Sequence, residues 1–246
     1  MILTFNVSAR SRRSEPGTTV QNRYPARVTS PAPAVPTAVR RKPERSPSDR
    51  KVLDHVLDTV LAGTLCTVVD GEPWAVPMLF ARDGDRVLLH GSTGAGALMR
   101  VASGAPALLS VLSVDGLVVA HSTFDSSANY RSAVVRGFLC PLVDDEKWQA
   151  LERLSERLIP GRTTEVRDMS AKETAATLAM ALPITDGGWT VKVRTGPPGA
   201  PEEDTDAWSG VVPFRLVAGA AEPAPWVPAG SPLPPSVARL AGSLLS

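Results

Sequence analysis

The run Leu65-Cys66-Thr67-Val68-Val69-Asp70-Gly71-Glu72-Pro73-Trp74-Ala75-Val76-Pro77-Met78-Leu79-Phe80-Ala81-Arg82-Asp83-Gly84-Asp85-Arg86-Val87-Leu88-Leu89-His90 holds three β-rich segments separated by two Asp-Gly pairs. Asp-Gly supplies the positive backbone angles that a tight hairpin turn demands, at little steric cost. The spacing predicts three consecutive antiparallel strands, Thr64–Val69, Trp74–Phe80 and Arg86–His90.

On the C-terminal side the last of these strands runs into Gly91-Ser92-Thr93-Gly94-Ala95-Gly96 and then a short helix around Ala97–Ala102. A strand, a turn of small residues and a helix start form the geometry of a phosphate cradle, because unpaired backbone N–H groups can approach an anion there. Gly94 and Gly96 fit G-x-G, but the third glycine of a dinucleotide fingerprint and the Lys-Ser/Thr of a P-loop are missing. A plain strand-to-helix turn reads equally well. On the N-terminal side Ser48 is the expected cap of an amphipathic helix carrying Val52, Leu53, Val56, Leu57, Val60 and Leu61, closed by Gly63.

Further strands are expected at Pro106–Val114, at Leu117–Ser122 after an Asp115-Gly116 turn, at Arg131–Val143 and at Trp189–Arg194. A helix capped by Asp144 continues through Trp148, Leu151, Leu154 and Leu158 to Pro160-Gly161, and a second spans Ala171–Ala181. Val211–Ala218 would add an edge strand. This is a mainly β fold with inserted helices, an antiparallel closed or partly closed barrel; the βαβ alternation of a doubly wound sheet is absent.

Residues 1–47 are rich in Arg, Ser, Pro and Thr without period and read as a disordered basic leader ending near Arg40-Arg41-Lys42. Residues 48–220 form the folded domain, and 221–246 a Pro-rich tail. A net charge of +1 gives no general reason to expect nucleic acid, and no run of about 18 apolar residues exists to span a membrane. A small-molecule ligand and a cytoplasmic location are the expectation. Cys66 and Cys140 lack metal or redox spacing and read as buried free thiols; no metal site is expected.

Four passages in order, Val76-Pro77-Met78-Leu79-Phe80-Ala81-Arg82-Asp83-Gly84, Leu89-His90-Gly91-Ser92, Asn129-Tyr130-Arg131-Ser132-Ala133-Val134-Val135 and Lys192-Val193-Arg194-Thr195-Gly196-Pro197-Pro198, make the chain similar to the pyridoxamine-phosphate-oxidase-like split barrels. The branch it resembles binds flavin nucleotides and is related to the nitroimidazole reductases. The resemblance implies an FMN-binding split β-barrel, a homodimer with FMN in the groove between two barrels, and oxidoreductase activity on a small molecule. It places Pro77, Met78, Leu79 and Phe80 along the flavin ring. His90, Gly91, Ser92, Thr93, Gly94 and Arg100 fall at the ribityl and phosphate, and Asn129, Tyr130, Arg131, Ser132, Lys192 and Arg194 around the same groove. Two passages depart from the family pattern: Ala95-Gly96-Ala97 stands where relatives place Ser-Arg, and Asp125-Ser126-Ser127-Ala128 where they place His-His-Ser-Met. The first removes a bidentate phosphate donor, so FMN binding is expected to be weakened or lost unless Arg100 compensates.

Single residues keep two readings each. His90 is a cofactor contact or a half-buried barrel histidine, and Arg131 a phosphate anchor or a cross-barrel ion pair. Asp125 is a base or a loop carboxylate, and Tyr130 a proton donor or a rim aromatic. Beside the FMN oxidoreductase stand two alternatives. One is a barrel enzyme without FMN that uses His90, Asp125 or Tyr130 as acid or base; the other is a flavin or haem carrier without turnover, with His90 and His121 as the haem candidates.

Overall fold

The structure, a computed structural model, describes residues 43–94, 96–102 and 104–245. All of these lie in one folding unit, Thr37–Ser246. The basic run Arg40-Arg41-Lys42, with most of the leader, lies outside the described residues, as do Ala95 and the side chain of Arg100.

After a 3-10 turn at Pro43–Arg45 comes α1 (Arg50–Thr59). Its N-cap is Asp49, one residue beyond the expected Ser48, and the Asp49 carboxylate accepts the Lys51 N–H at 2.9 Å. Then follow β1 (Ala62–Val69), β2 (Glu72–Leu79), β3 (Ala81–Asp83), β4 (Arg86–Ser92), α2 (Gly96–Ala102), β5 (Pro106–Val119), β6 (Ser127–Phe138), β7 (Cys140–Leu142), α3 (Asp144–Leu158) and α4 (Ala171–Ala176). The chain closes with β8 (Thr177–Pro183), β9 (Trp189–Arg194), β10 (Gly210–Pro213) and α5 (Pro235–Leu240).

Every strand pair is antiparallel, in two sheets. The larger has the order β2-β1-β5-β6-β9 with β10 added beside β5, and the smaller β3-β4-β8-β7. Four connections cross between the sheets: β4 reaches β5 through α2, β8 reaches β9 through residues 184–188, and two are tight corners, β2 into β3 through Phe80 and β6 into β7 through Leu139. Both corner residues are buried in the main core, as sheet-switching corners must be. This is the expected mainly antiparallel split barrel.

The core follows strand parity. Leu65, Leu109, Val111, Ala133, Val135 and Val191 of the large sheet meet Val87, Leu89, Leu178, Met180 and Leu182 of the small one, with α1 and α2 closing the space. The alternate residues of the small sheet, Leu88, Ala179 and Ala181, pack on Ala150, Leu151 and Leu154 of α3. The small sheet is therefore buried on both faces.

Three readings are corrected by this packing. The helix expected over Ala171–Ala181 stops at Ala176, held at its start by a Ser170–Glu173 capping box; Thr177–Pro183 is instead the inner strand β8. A strand buried on both faces is apolar at consecutive positions, and Leu178-Ala179-Met180-Ala181-Leu182 imitated a helix for that reason. Asp115-Gly116 is not a hairpin turn but a bulge within continuous β5, where the register with β6 shifts. A side chain at Gly116 would strike the Val212 carbonyl oxygen of β10 at 2.7 Å, so glycine admits the added strand. Cys66 is half-buried, and Cys140, on edge strand β7, is exposed; neither forms a disulfide.

Candidate functional site

The outer face of the large sheet is the one broad surface whose residues alternate with the core. Parity turns Ala75, Pro77 and Leu79 of β2, Leu108, Leu112 and Val114 of β5, Tyr130, Ser132, Val134 and Arg136 of β6, and Thr190 and Lys192 of β9 to that side. Leu112 is 59% exposed and Val114 44%. A one-sided antiparallel sheet ordinarily turns polar residues to water. Here the exposed centre is apolar, and cations stand at its β6/β9 edge.

Cross-strand register sets those cations. Ser132 lies opposite Lys192 and Tyr130 opposite Arg194. Among the described residues no carboxylate pairs with Lys192, Arg194 or Arg136. Lys192 and Arg194, two residues apart on one strand, are roughly 6.8 Å apart along it, near enough to act on one anion. The Arg194 guanidinium turns onto the end of β6, where Nη1 donates to Asn129 Oδ1 at 2.8 Å and to the Ala128 carbonyl at 3.4 Å.

Arg131 points the other way, towards α1. Its Nε and Nη2 donate to the two Asp115 oxygens, both at 2.9 Å, and Nη1 donates to Thr59 Oγ1 at the end of α1. Burial alone would raise the Asp115 carboxyl, but the hydrogen bonds from Arg131 and Ser113 outweigh it and hold the group below its ordinary value. The geometry is the cross-barrel pair, and Arg131 is engaged on the core side of the sheet.

The glycine turn differs from the expected cradle. Two of its described residues already have partners: the Thr93 N–H and hydroxyl both donate to the Ala176 carbonyl, and the Gly94 N–H donates to Ser92 Oγ. Gly91 gives room to Leu98 of α2, since a Cβ there would fall 2.2 Å from Leu98 Cδ2 and that side chain would have to shift. Met78 and Phe80, likewise, face the core rather than the outer surface.

His90 sits on β4 opposite Ala179, on the side of the small sheet that carries Leu88. Burial pushes its imidazole below the ordinary value of 6.5, which favours the neutral form, and its buried Nδ1 has no hydrogen-bond partner among the described residues. His121 Nδ1 is buried and unpartnered as well, while its Nε2 lies 3.4 Å from Asp125 Oδ2. Asp125 also accepts the Ser122 hydroxyl at 2.5 Å in the exposed turn before β6. No hydrogen bond or ion pair joins Asp125, His90 and Tyr130, so the structure does not assemble them into one acid–base group.

Leu112 and Val114 went unremarked in the sequence. The signal was present: β5 places Leu108, Leu112 and Val114 out of phase with buried Ala107, Leu109 and Val111, so both of its faces are apolar. No helix among the described residues is long and apolar enough to cross a membrane, and no group of three or more His, Cys, Asp or Glu is placed to hold a metal ion.

The sequence matches the family described as pyridoxamine 5'-phosphate oxidase over residues 49–187. Among solved structures it is similar to the FAD and haem binding protein of Mycobacterium smegmatis, at 46% identity and TM-score 0.78, covering 82% of this chain and 98% of that one. It is similar also to the flavocytochrome Anf3 of Azotobacter vinelandii, at 31% identity and TM-score 0.76, over 84% and 97% of the two chains. A 5-nitroimidazole antibiotic resistance protein of Bacteroides thetaiotaomicron shares the fold at 19% identity and TM-score 0.51, over 60% and 86%. No curated protein matches the sequence. On the family match and the two relatives that align over nearly their whole length, the chain belongs to the flavin-binding, pyridoxamine 5'-phosphate oxidase-like split-barrel family.

Proposed function

We propose that the outer face of the large sheet binds a flavin by its phosphorylated side chain and that the protein is a flavin-dependent oxidoreductase acting on a small molecule. The observation that carries this reading is the apolar strip of Leu112 and Val114, one strand away from two cations, Lys192 and Arg194, that no carboxylate neutralises among the described residues. A planar ring and a phosphate require those two kinds of surface side by side.

Lys192 and Arg194 would hold the phosphate, with the Ser132 hydroxyl beside them. Leu112, Val114 and the Tyr130 ring would hold the isoalloxazine, with Pro77 and Leu79 on the same face. The ligand is FMN or the FMN half of FAD; the Mycobacterium smegmatis relative is an FAD protein, which favours the dinucleotide. When bound, the flavin supplies hydride or single-electron transfer. Leu112, Val114 and Tyr130 would orient it and exclude water from it. A second copy of the chain, packed face to face as a homodimer, would cover the other side of the strip.

A second reading adds haem. It is favoured by a specific observation, the buried unpartnered Nδ1 of His90 and of His121, and by the haem of the Mycobacterium smegmatis relative. A neutral imidazole nitrogen is what an iron ligand requires.

The test is the absorption spectrum of purified protein, followed by mass spectrometry of the released ligand. Flavin bands and release of FMN or FAD are expected; colourless protein that takes up neither nucleotide overturns the flavin reading. A Soret band would establish haem, and its loss in His90→Ala but not His121→Ala, or the reverse, identifies the ligand.

A further inference from the structure

We infer that Asn129 is a positioning residue: it aims the Arg194 guanidinium at an anion and fixes the point where the chain leaves β9. The inference rests on the reading of Lys192 and Arg194 as the phosphate site.

Asn129 is a buried amide, 8% exposed, on a face of β6 otherwise given to the core. A buried amide left without partners is costly, so its contacts are informative. Its two ends are engaged by the last residue of β9 and by the chain two residues beyond it. Its Oδ1 accepts Arg194 Nη1 at 2.8 Å, and its Nδ2 donates to the Gly196 carbonyl at 3.1 Å. Gly196 adopts a positive φ of 89°, which a residue with a side chain rarely takes, and so turns the chain away from the sheet. One amide therefore grips the residue that carries the charge, at the end of the strand, and the glycine two residues on where the chain turns away.

The grip is selective within the guanidinium. Nη1 is fixed by Asn129 and by the Ala128 carbonyl, whereas among the described residues Nε and Nη2 have no partner. A neutral acceptor leaves the positive charge intact, which an aspartate at this position would not. Fixing one nitrogen of a planar fork sets the plane of the other two, and an arginine presents bidentate recognition only when that plane is set in advance. Asn129 thus contributes orientation without touching the ligand.

The experiment compares FMN with riboflavin, which has the ring but no phosphate, by fluorescence quenching in the full-length chain freed of bound ligand. Arg194→Ala and Asn129→Ala are each expected to raise the FMN dissociation constant tenfold or more while leaving that of riboflavin unchanged. The double variant is expected to bind FMN no more weakly than Arg194→Ala alone, since both act through one guanidinium. If Asn129→Ala retains the wild-type ratio of FMN to riboflavin affinity while Arg194→Ala loses it, the positioning role is overturned and the phosphate site stands. Retention of that ratio in both Arg194→Ala and Lys192→Ala overturns the phosphate site itself. Should Asn129→Ala fail to fold, Asn129→Asp replaces it. There the carboxylate keeps the contact to Arg194 but neutralises it, so the ratio falls; an unchanged ratio overturns the inference.

Discussion

The two sheets of this barrel are built from similar residues and put to opposite uses. The small sheet is covered on one face by the large sheet and on the other by α3, so Leu88, Ala179 and Ala181 are as buried as Val87, Leu89 and Met180. The large sheet is covered on one face only, and its other face shows Leu112 and Val114 to solvent beside Lys192. Apolar residues in the first are accounted for by folding. In the second they are not, and an apolar face that folding leaves uncovered marks a surface for a ligand or a partner.

The strongest way to test this contrast is to remove matched side chains from the two sheets. Leu88→Ala, in the fully enclosed sheet, is expected to lower unfolding free energy by about 3 kcal/mol, measured by urea denaturation. Leu88→Ala losing less than about 1 kcal/mol would show that α3 does not enclose this sheet tightly.

Next in size is the pin between the large sheet and α1. Arg131→Ala strands the Asp115 carboxylate and is expected to cost about 2 kcal/mol. It should also change the acid limb of stability. Asp115 is held below its ordinary value of 3.8 in the folded protein, so its contribution is complete above that value and is lost as pH falls through the lower folded value. The gap between wild type and Arg131→Ala in urea midpoint should accordingly be wide at pH 6 and narrower at pH 3. A gap that does not change with pH removes the carboxylate from the explanation.

Lys192→Ala is expected to leave the urea midpoint unchanged and to weaken FMN binding about tenfold, as one charge-assisted contact predicts. Its penalty should shrink as salt is raised, because the site faces solvent. Smallest of all in stability is Leu112→Ser, expected within about 0.5 kcal/mol of wild type. Yet the same change should abolish self-association in sedimentation velocity, and persistence of the dimer would put the partner elsewhere.

Much of the fold was legible because the decisive signals were local. Asp70-Gly71 and Gly84 mark the β1–β2 and β3–β4 turns with the positive φ their types require, although the corner at Phe80 sends β4 to the small sheet and breaks the expected three-strand meander, and the α3 stripe of Leu151 and Leu154 is a plain helical period. What misled was a tertiary effect: consecutive apolar residues in β8 arise because two layers cover it, and no local rule separates that from a helix. The site was legible in part. Lys192, Arg194, Tyr130 and Ser132 share one face because strand parity is readable from sequence. The involvement of Thr93 and Gly94 with Ala176 and Ser92 was not, since it depends on where α4 ends in space. Arg131 and Lys192 are both basic residues on outer-sheet strands, and only parity, inward for one and outward for the other, tells them apart.

The stretch after Arg194 has one more property. It is fastened near its start, where Asn129 takes the Gly196 carbonyl, and again near its end, where Glu165 accepts both the N–H and the hydroxyl of Ser236 at the head of α5. Arg239 adds a bond to the Pro160 carbonyl. A segment tied at both ends, and held midway by β10 on β5, forms closed loops rather than a free tail, so the entropic cost of closing them rises only slowly with length. Proline-rich spacing between the two ties is therefore tolerated at little cost, and a single protease cut within it would leave both fragments attached to the barrel.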